Sequence, residues 1–167
     1  MNKIFIYYII NLRMKKSFTL IELLIVIIIL GVLSTLITGN FFTSLKKGRD
    51  ARRKADLEQI QRALEMYYED KRSYPNFSFT FGKKLCETKT DDDCGSEKVY
   101  MQKLPNDPIN TNTYVYQSDG TYYQLFSCIE NNLDQGPGVK QNGYSGTNCG
   151  GCGLCKYGIS SSNTNLP

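Results

Sequence analysis

The sequence predicts an α+β fold: one long N-terminal helix packed on a small antiparallel sheet, with a cysteine-rich loop region at the C-terminal end. Three observations carry that expectation. An apolar run near the start is long enough for a membrane-spanning helix, and a stripe of apolar residues at helical spacing follows it. Two tyrosine-rich segments then flank Asp119-Gly120, a hairpin signal. The 167 residues suit one small domain plus a membrane segment.

Residues 1–13 contain only seven consecutive apolar residues, from Ile4 to Ile10, too few to cross a bilayer. Met14 offers a second start, giving the short basic leader Met14-Lys15-Lys16-Ser17; a longer leader from Met1 is the alternative. Residues 18–38 then carry a single charge, Glu22. At about 1.5 Å per residue, a helix there reaches about 31 Å, the thickness of a bilayer's hydrocarbon core. The run is too long for a conventional secretory signal, and no small-x-small site closes it. A carboxylate in such a helix costs on the order of 2–3 kcal/mol and needs a partner. Two readings stand side by side. Thr19-x-x-Glu22 fits a capping box, and Glu22 could instead meet a positive charge from another chain.

Lys15-Lys16-Ser17-Phe18-Thr19-Leu20-Ile21-Glu22, with the apolar run behind it, resembles the processing box of type IV pilins and of the pseudopilins of type II secretion and DNA-uptake machines. Ser17 stands where that family usually has glycine. The resemblance implies that a prepilin peptidase cuts between Ser17 and Phe18 and methylates the new amine of Phe18. Lys15 and Lys16 then belong to a cytoplasmic leader, 1–17, and Glu22 with Thr19 to the assembly machinery. It also implies a single-pass protein of the inner (cytoplasmic) membrane with its head outside, later moved into a pilus or pseudopilus. Copies of itself, other pilin-like subunits, the peptidase, an assembly platform protein and a motor are its implied partners.

The net charge of +4 counts Lys3, Arg13, Lys15 and Lys16, all before the proposed cut; without them, 16 basic side chains face 16 acidic ones. That near-neutral balance does not indicate a nucleic-acid binder. Charge placement sets up a conflict. Lys46, Lys47, Arg49, Arg52, Arg53 and Lys54 follow the apolar run, and the positive-inside rule would leave the bulk of the chain in the cytoplasm. The processing box implies the opposite and takes precedence, because its residues are specific and the rule is statistical.

Over 39–75 the chain reads as the amphipathic half of the helix. Gly39-Asn40 and Gly48 should weaken it locally. Leu57, Ile60, Leu64, Tyr67 and Tyr68 make one apolar stripe, and Arg53, Glu58, Arg62, Glu65 and Glu69 are expected in solvent. Tyr74-Pro75 should end the helix. With Ala51, Ala55 and Ala63, residues 49–75 resemble the second half of the pseudopilin helix. Leu104-Pro105-Asn106-Asp107-Pro108 resembles that family's Leu-Pro-x-Asp-Pro turn. In major pseudopilins of type II secretion Trp-Gly typically follows the turn; Ile109-Asn110 follows here.

The head, 76–130, centres on a hairpin over 113–127. A two-residue Asp119-Gly120 loop pairs Tyr116 with Tyr123 and Tyr114 with Leu125, so these four share one face, which should cover the Leu57, Ile60 and Leu64 stripe. Phe77, Phe79 and Phe81 alternate as a short strand would. Asp91-Asp92-Asp93 reads as a solvated loop rather than a calcium site. Some pseudopilins bind calcium after the hairpin, and Glu130, Asn131 and Asp134 are the candidates for it here.

The tail, 131–167, is rich in Gly, Asn and Ser and would be disordered alone. Its Cys149, Cys152 and Cys155 join Cys86, Cys94 and Cys128 in an even set of six, which reads as disulfides outside the cytoplasm. Cys86 with Cys94 would close a small loop, and Cys128 could tether the tail to the sheet. The rival is a metal site, since Cys-x-x-Cys-x-x-Cys offers three thiolates.

With no histidine, the commonest general base is missing, and no phosphate loop, dinucleotide fingerprint or nucleophile elbow is present. The expectation is a structural subunit with no cofactor. Two alternatives remain: a single-pass anchored binding module that never polymerises, and a cytoplasmic zinc-binding domain on an anchor.

Overall fold

The computed structural model describes residues 17–167, apart from the side chains of 36–40. Residues 1–16 lie outside it, and with them the expected start at Met14 and the leader lysines Lys15 and Lys16. The chain forms two compact units, one ending at Phe42 and one running from Thr43 to Pro167.

Helix α1 spans Leu20–Lys71. It is not broken at Gly39-Asn40 or at Gly48, where local weakening was expected. Glycine costs about 1 kcal/mol in a helix, and no proline interrupts the run before Pro75. In the first unit the large apolar side chains between residues 20 and 33 are all exposed, from 45% at Leu24 to 82% at Leu20. A helix apolar on every side is built to be surrounded by apolar matter. Among the described residues no helix is long and apolar enough to cross a membrane, and the expected span, 18–38, includes residues whose side chains are not described.

α1 stops three residues before Tyr74. Arg72 takes a left-handed conformation (φ 55°) and gives its N–H to the Tyr68 carbonyl at 2.8 Å, and Tyr74 turns its own N–H to the Gly120 carbonyl at 2.8 Å. A left-handed residue just past the last turn is the usual way a helix ends.

Two three-stranded antiparallel sheets follow. The first holds β1 (Lys84–Cys86), β2 (Thr90–Asp91) and β3 (Val99–Met101) in the order β2-β1-β3. The second holds β4 (Val115–Ser118), β5 (Tyr123–Ser127) and β6 (Tyr157–Ser160) in the order β4-β5-β6. Phe77, Phe79 and Phe81 form no strand. Phe79 stacks on Tyr116 of β4 at 3.8 Å, Phe81 lies edge-on to Tyr114 just before β4 at 5.6 Å, and Phe77 packs on Phe79 at 5.9 Å. Asp91, expected in a loop, sits in β2.

The hairpin register differs from expectation by two residues. Tyr116 pairs with Leu125 and Ser118 with Tyr123, leaving 119–122 as the loop. The Asp119 carboxylate accepts the Thr121 and Tyr122 N–H groups at 2.8 and 3.2 Å and the Thr121 hydroxyl at 2.7 Å, which holds a wider turn. A slip of two keeps every side chain on its face. Tyr114, Tyr116, Tyr123 and Leu125 accordingly join Leu57, Ile60 and Leu64 in the main core.

The other face of β4–β5 is buried too. Phe126 packs with Cys128, Tyr144, Cys149 and Cys155, and Val115 and Leu166 border the cluster. The tail covers this face and contributes β6 to the sheet. Gly158 in β6 passes so close to Phe126 that a Cβ there would meet the ring at 2.9 Å. Disulfides Cys128–Cys152 and Cys149–Cys155 hold the tail, and Cys86–Cys94 closes the loop between β1 and β3.

Replacing Cys128 and Cys152 together by serine removes a link across 24 residues, a loss of about 3.5 kcal/mol in chain-entropy terms. Limited trypsin digestion should then cut at Lys140 and Lys156 at least tenfold faster than in the parent, while the region from β1 to β5 resists.

Candidate assembly and anchoring site

Ser17, Phe18 and Thr19 precede α1 and are exposed, Phe18 by 87%. The capping box forms in both directions. The Thr19 N–H and hydroxyl each donate to Glu22 Oε2 at 2.8 Å, and the Glu22 N–H approaches Thr19 Oγ1 at 3.3 Å. Four amides at a helix start lack intrahelical partners, and this pair satisfies two donors locally. Glu22 is thus engaged within its own chain, and Phe18 stands free beside it.

The second unit contains a site that the charge pattern concealed. Arg53, expected in solvent, is wholly buried. Its Nε and Nη2 grip the Asp107 carboxylate at 2.7 and 2.9 Å, while Nη1 reaches Asp50 at 2.8 Å and Glu130 at 2.7 Å. One turn earlier, Arg49 donates to both Glu130 oxygens at 2.8 and 2.5 Å. Asp50 accepts the backbone N–H groups of Glu130 and Asn131, and Lys54 pairs with Asp134 at 2.7 Å. The helix therefore holds both the proline-flanked turn at Asp107 and the loop after β5.

The signal for this cluster was in the spacing. Arg49, Arg53, Leu57, Ile60 and Leu64 recur at intervals of four, four, three and four, so Arg53 and Arg49 continue the apolar stripe inward. A guanidinium on a buried stripe requires carboxylates opposite it. Burial alone would lower the Arg53 pKa, but hydrogen bonds to Asp107 and Glu130 overcome this and move it upward. The Arg49 hydrogen bonds, with Arg53 behind them and against partial burial, hold the Glu130 carboxyl down at about 2.

The calcium candidates are occupied by the chain itself. Glu130 faces Arg49 and Arg53, Asp134 faces Lys54, and the Asn131 side-chain oxygen accepts the Leu133 N–H at 3.3 Å. Of the adjacent aspartates, Asp91 pairs with Lys89, Asp92 with Lys83, and Asp93 accepts the Gly95 N–H. Among the described residues no group of three or more His, Cys, Asp or Glu is placed to hold a metal. The zinc alternative for Cys149, Cys152 and Cys155 is overturned: all six cysteines are in disulfides, leaving no thiolate to ligate.

Asp107→Ala leaves Arg53 buried with part of its charge uncompensated and should cost about 3–5 kcal/mol, read by urea unfolding. Glu130 adds an acid-side dependence. Its folded pKa of about 2 lies below the 4.5 of an unperturbed glutamate, so its stabilisation is complete above about pH 4.5 and is lost as pH falls toward 2. Melting temperatures between pH 5 and 2 should fall less steeply in Glu130→Gln than in the parent.

The chain matches the prokaryotic N-terminal methylation motif over residues 12–38 and the family described as type II secretion system (T2SS), protein G, over residues 40–143. Type II secretion system core protein G of Escherichia coli (strain K12) is 30% identical over 119 residues, covering 68% of this chain and 81% of the relative. The proteins of the same name from Vibrio cholerae and Pseudomonas aeruginosa are 29% and 31% identical, covering 66% and 65% of this chain and 75% and 78% of theirs. No solved structure matches. The family match takes in the Arg53 cluster and the hairpin, the methylation motif takes in the Thr19–Glu22 box, and the chain belongs to the type II secretion system protein G family of pseudopilins.

Proposed function

We propose that this pseudopilin is stored as a single-pass membrane protein, cut between Ser17 and Phe18, and assembled into a pseudopilus through its N-terminal helix. The observation that carries the reading is the all-round exposure of apolar side chains between residues 20 and 33, a run whose one charge is the capped Glu22. So much unpartnered apolar surface calls for lipid or for copies of itself. Ser17 and Phe18 lie outside the helix in exposed backbone, where a peptidase can reach the bond.

Cleavage changes the chemistry at this end. Before it, the Phe18 nitrogen is an amide and Glu22 is held by Thr19 alone. After it, Phe18 carries a charged amine, and methylation keeps that charge. In a packed bundle of apolar helices the amine of one subunit pairs with Glu22 of its neighbour, where low dielectric makes the attraction far stronger than in water. The Thr19 hydrogen bonds are worth about 1 kcal/mol each and can be exchanged for that pair. The helix simultaneously trades lipid contacts for helix contacts. Copies of the chain and other pilin-like subunits are the direct partners. A prepilin peptidase supplies the cut and the methyl group, and a membrane platform and a motor supply the lift.

The test is Glu22→Ala in cells with an active peptidase. The variant should remain membrane-bound and be cut, yet its recovery in sheared pseudopilus fractions should drop at least tenfold. Assembly at the parental level would remove the proposed role of Glu22.

A further inference from the structure

The basic run after the apolar segment opposes the positive-inside rule, and the structure divides it into two sets. Arg49, Arg53 and Lys54 face inward and are spent on Glu130, Asp107, Asp50 and Asp134. Lys46 and Lys47 are exposed with no ion pair or hydrogen bond among the described residues. Arg52 is 66% exposed and keeps only a long contact, 3.9 Å, with Asp56, whose carboxylate already accepts the Tyr114 hydroxyl at 2.7 Å. The chain has no acidic residue between Glu22 and Asp50 that could neutralise them.

Arg52 does not stand alone. It lines a surface recess of about 450 Å³ with Lys103, Pro105, Asn106, Pro108 and Asn110, so cations from two separate segments meet beside two side-chain amides. Asp107 also borders the recess, and Arg53 has taken its carboxylate. What remains is a cationic pocket with neutral hydrogen-bonding groups, suited to a phosphodiester. Its place in the chain identifies the source. Residues 20–45 hold one charge, and about 20 of these 26 residues cross the roughly 30 Å hydrocarbon core as helix, so the last turns reach the headgroup layer. The free cations begin at the next residue.

We infer that Lys46, Lys47 and the Arg52–Lys103 recess bind anionic phospholipid headgroups of the leaflet facing the head. The inference rests on the membrane-spanning reading proposed above. Bound this way, headgroup contacts add to the hold that the apolar helix has on the membrane. Extraction into a filament must then release the lipid as well as the apolar helix.

The test takes the purified full-length chain with its disulfides intact, offered equal amounts of phosphatidylglycerol and phosphatidylcholine in detergent micelles. Retained lipid is weighed by native mass spectrometry. The parent should retain the anionic lipid preferentially, and raised salt should weaken that preference. Arg52→Gln with Lys103→Gln should lower the anionic-to-zwitterionic ratio roughly tenfold or more, since each cation near an anionic surface contributes about fivefold. These side chains are exposed, so an unchanged melting temperature confirms that the variant is folded. Equal retention of the two lipids, an unchanged ratio in the variant, or displacement of the lipid by inorganic phosphate but not by chloride at the same ionic strength, which assigns the recess to free phosphate, would overturn the inference. So would an unchanged ratio with lost subunit cross-linking, which assigns the patch to an acidic protein surface. Alkaline extraction of the same chain from vesicles separates the two readings. Release there removes the spanning helix and this inference with it, whereas retention with a flat lipid ratio removes this inference alone.

Discussion

The buried Arg53 guanidinium constrains the whole second unit. Taking such a charge out of water costs several kcal/mol, which only close carboxylates with good geometry can offset. The fold supplies them from three places: Asp50 on the helix, Asp107 in the Leu-Pro-Asn-Asp-Pro turn, and Glu130 just after β5. Each of these segments would lose its position if the arginine pointed elsewhere. The same contacts leave Leu104 buried next to the turn and set the start of the tail, since Asp50 holds the Glu130 and Asn131 amides. A metal ion could tie such a loop together; here the chain's own cations do so.

From that hub the second sheet is packed on both faces. Tyr114, Tyr123 and Leu125 meet the helix stripe, while Phe126 meets a tail that has few large apolar residues of its own. Two disulfides and a third strand compensate for that scarcity, because covalent links limit the freedom of a Gly- and Asn-rich segment before any packing begins. Gly158 allows β6 to lie against the Phe126 ring. The first unit is governed by the opposite condition: among the described residues its large apolar side chains are exposed on every side of the helix.

Much of this was legible in the sequence, and the failures have physical causes. The long helix, the shared face of Tyr114, Tyr116, Tyr123 and Leu125, the Cys86–Cys94 link and the tether at Cys128 follow from periodicity and spacing. The Asp-Gly dipeptide predicts a loop two residues narrower than the one formed, because Asp119 binds the turn through its side chain. The charge of Arg53 points to solvent, whereas its place on the Leu57 stripe points to the core, and position decides because three carboxylates meet it there. β6 was missed because a strand in a Gly-rich tail exists only once disulfides bring it to β5. The Thr19–Glu22 capping box was readable as such, whereas a role for Glu22 in another chain involves contacts that one chain does not contain.

The proposed assembly depends on processing at the Ser17–Phe18 bond, which would free an amine on Phe18 to meet Glu22 of a neighbouring subunit. The direct measurement is the intact mass and amino-terminal sequence of the protein recovered from membranes of a host with an active prepilin peptidase. The account predicts a chain that begins at Phe18, carries one added methyl group and keeps three disulfides. A chain beginning at Met1 or Met14, with Lys15 and Lys16 still attached, would contradict it.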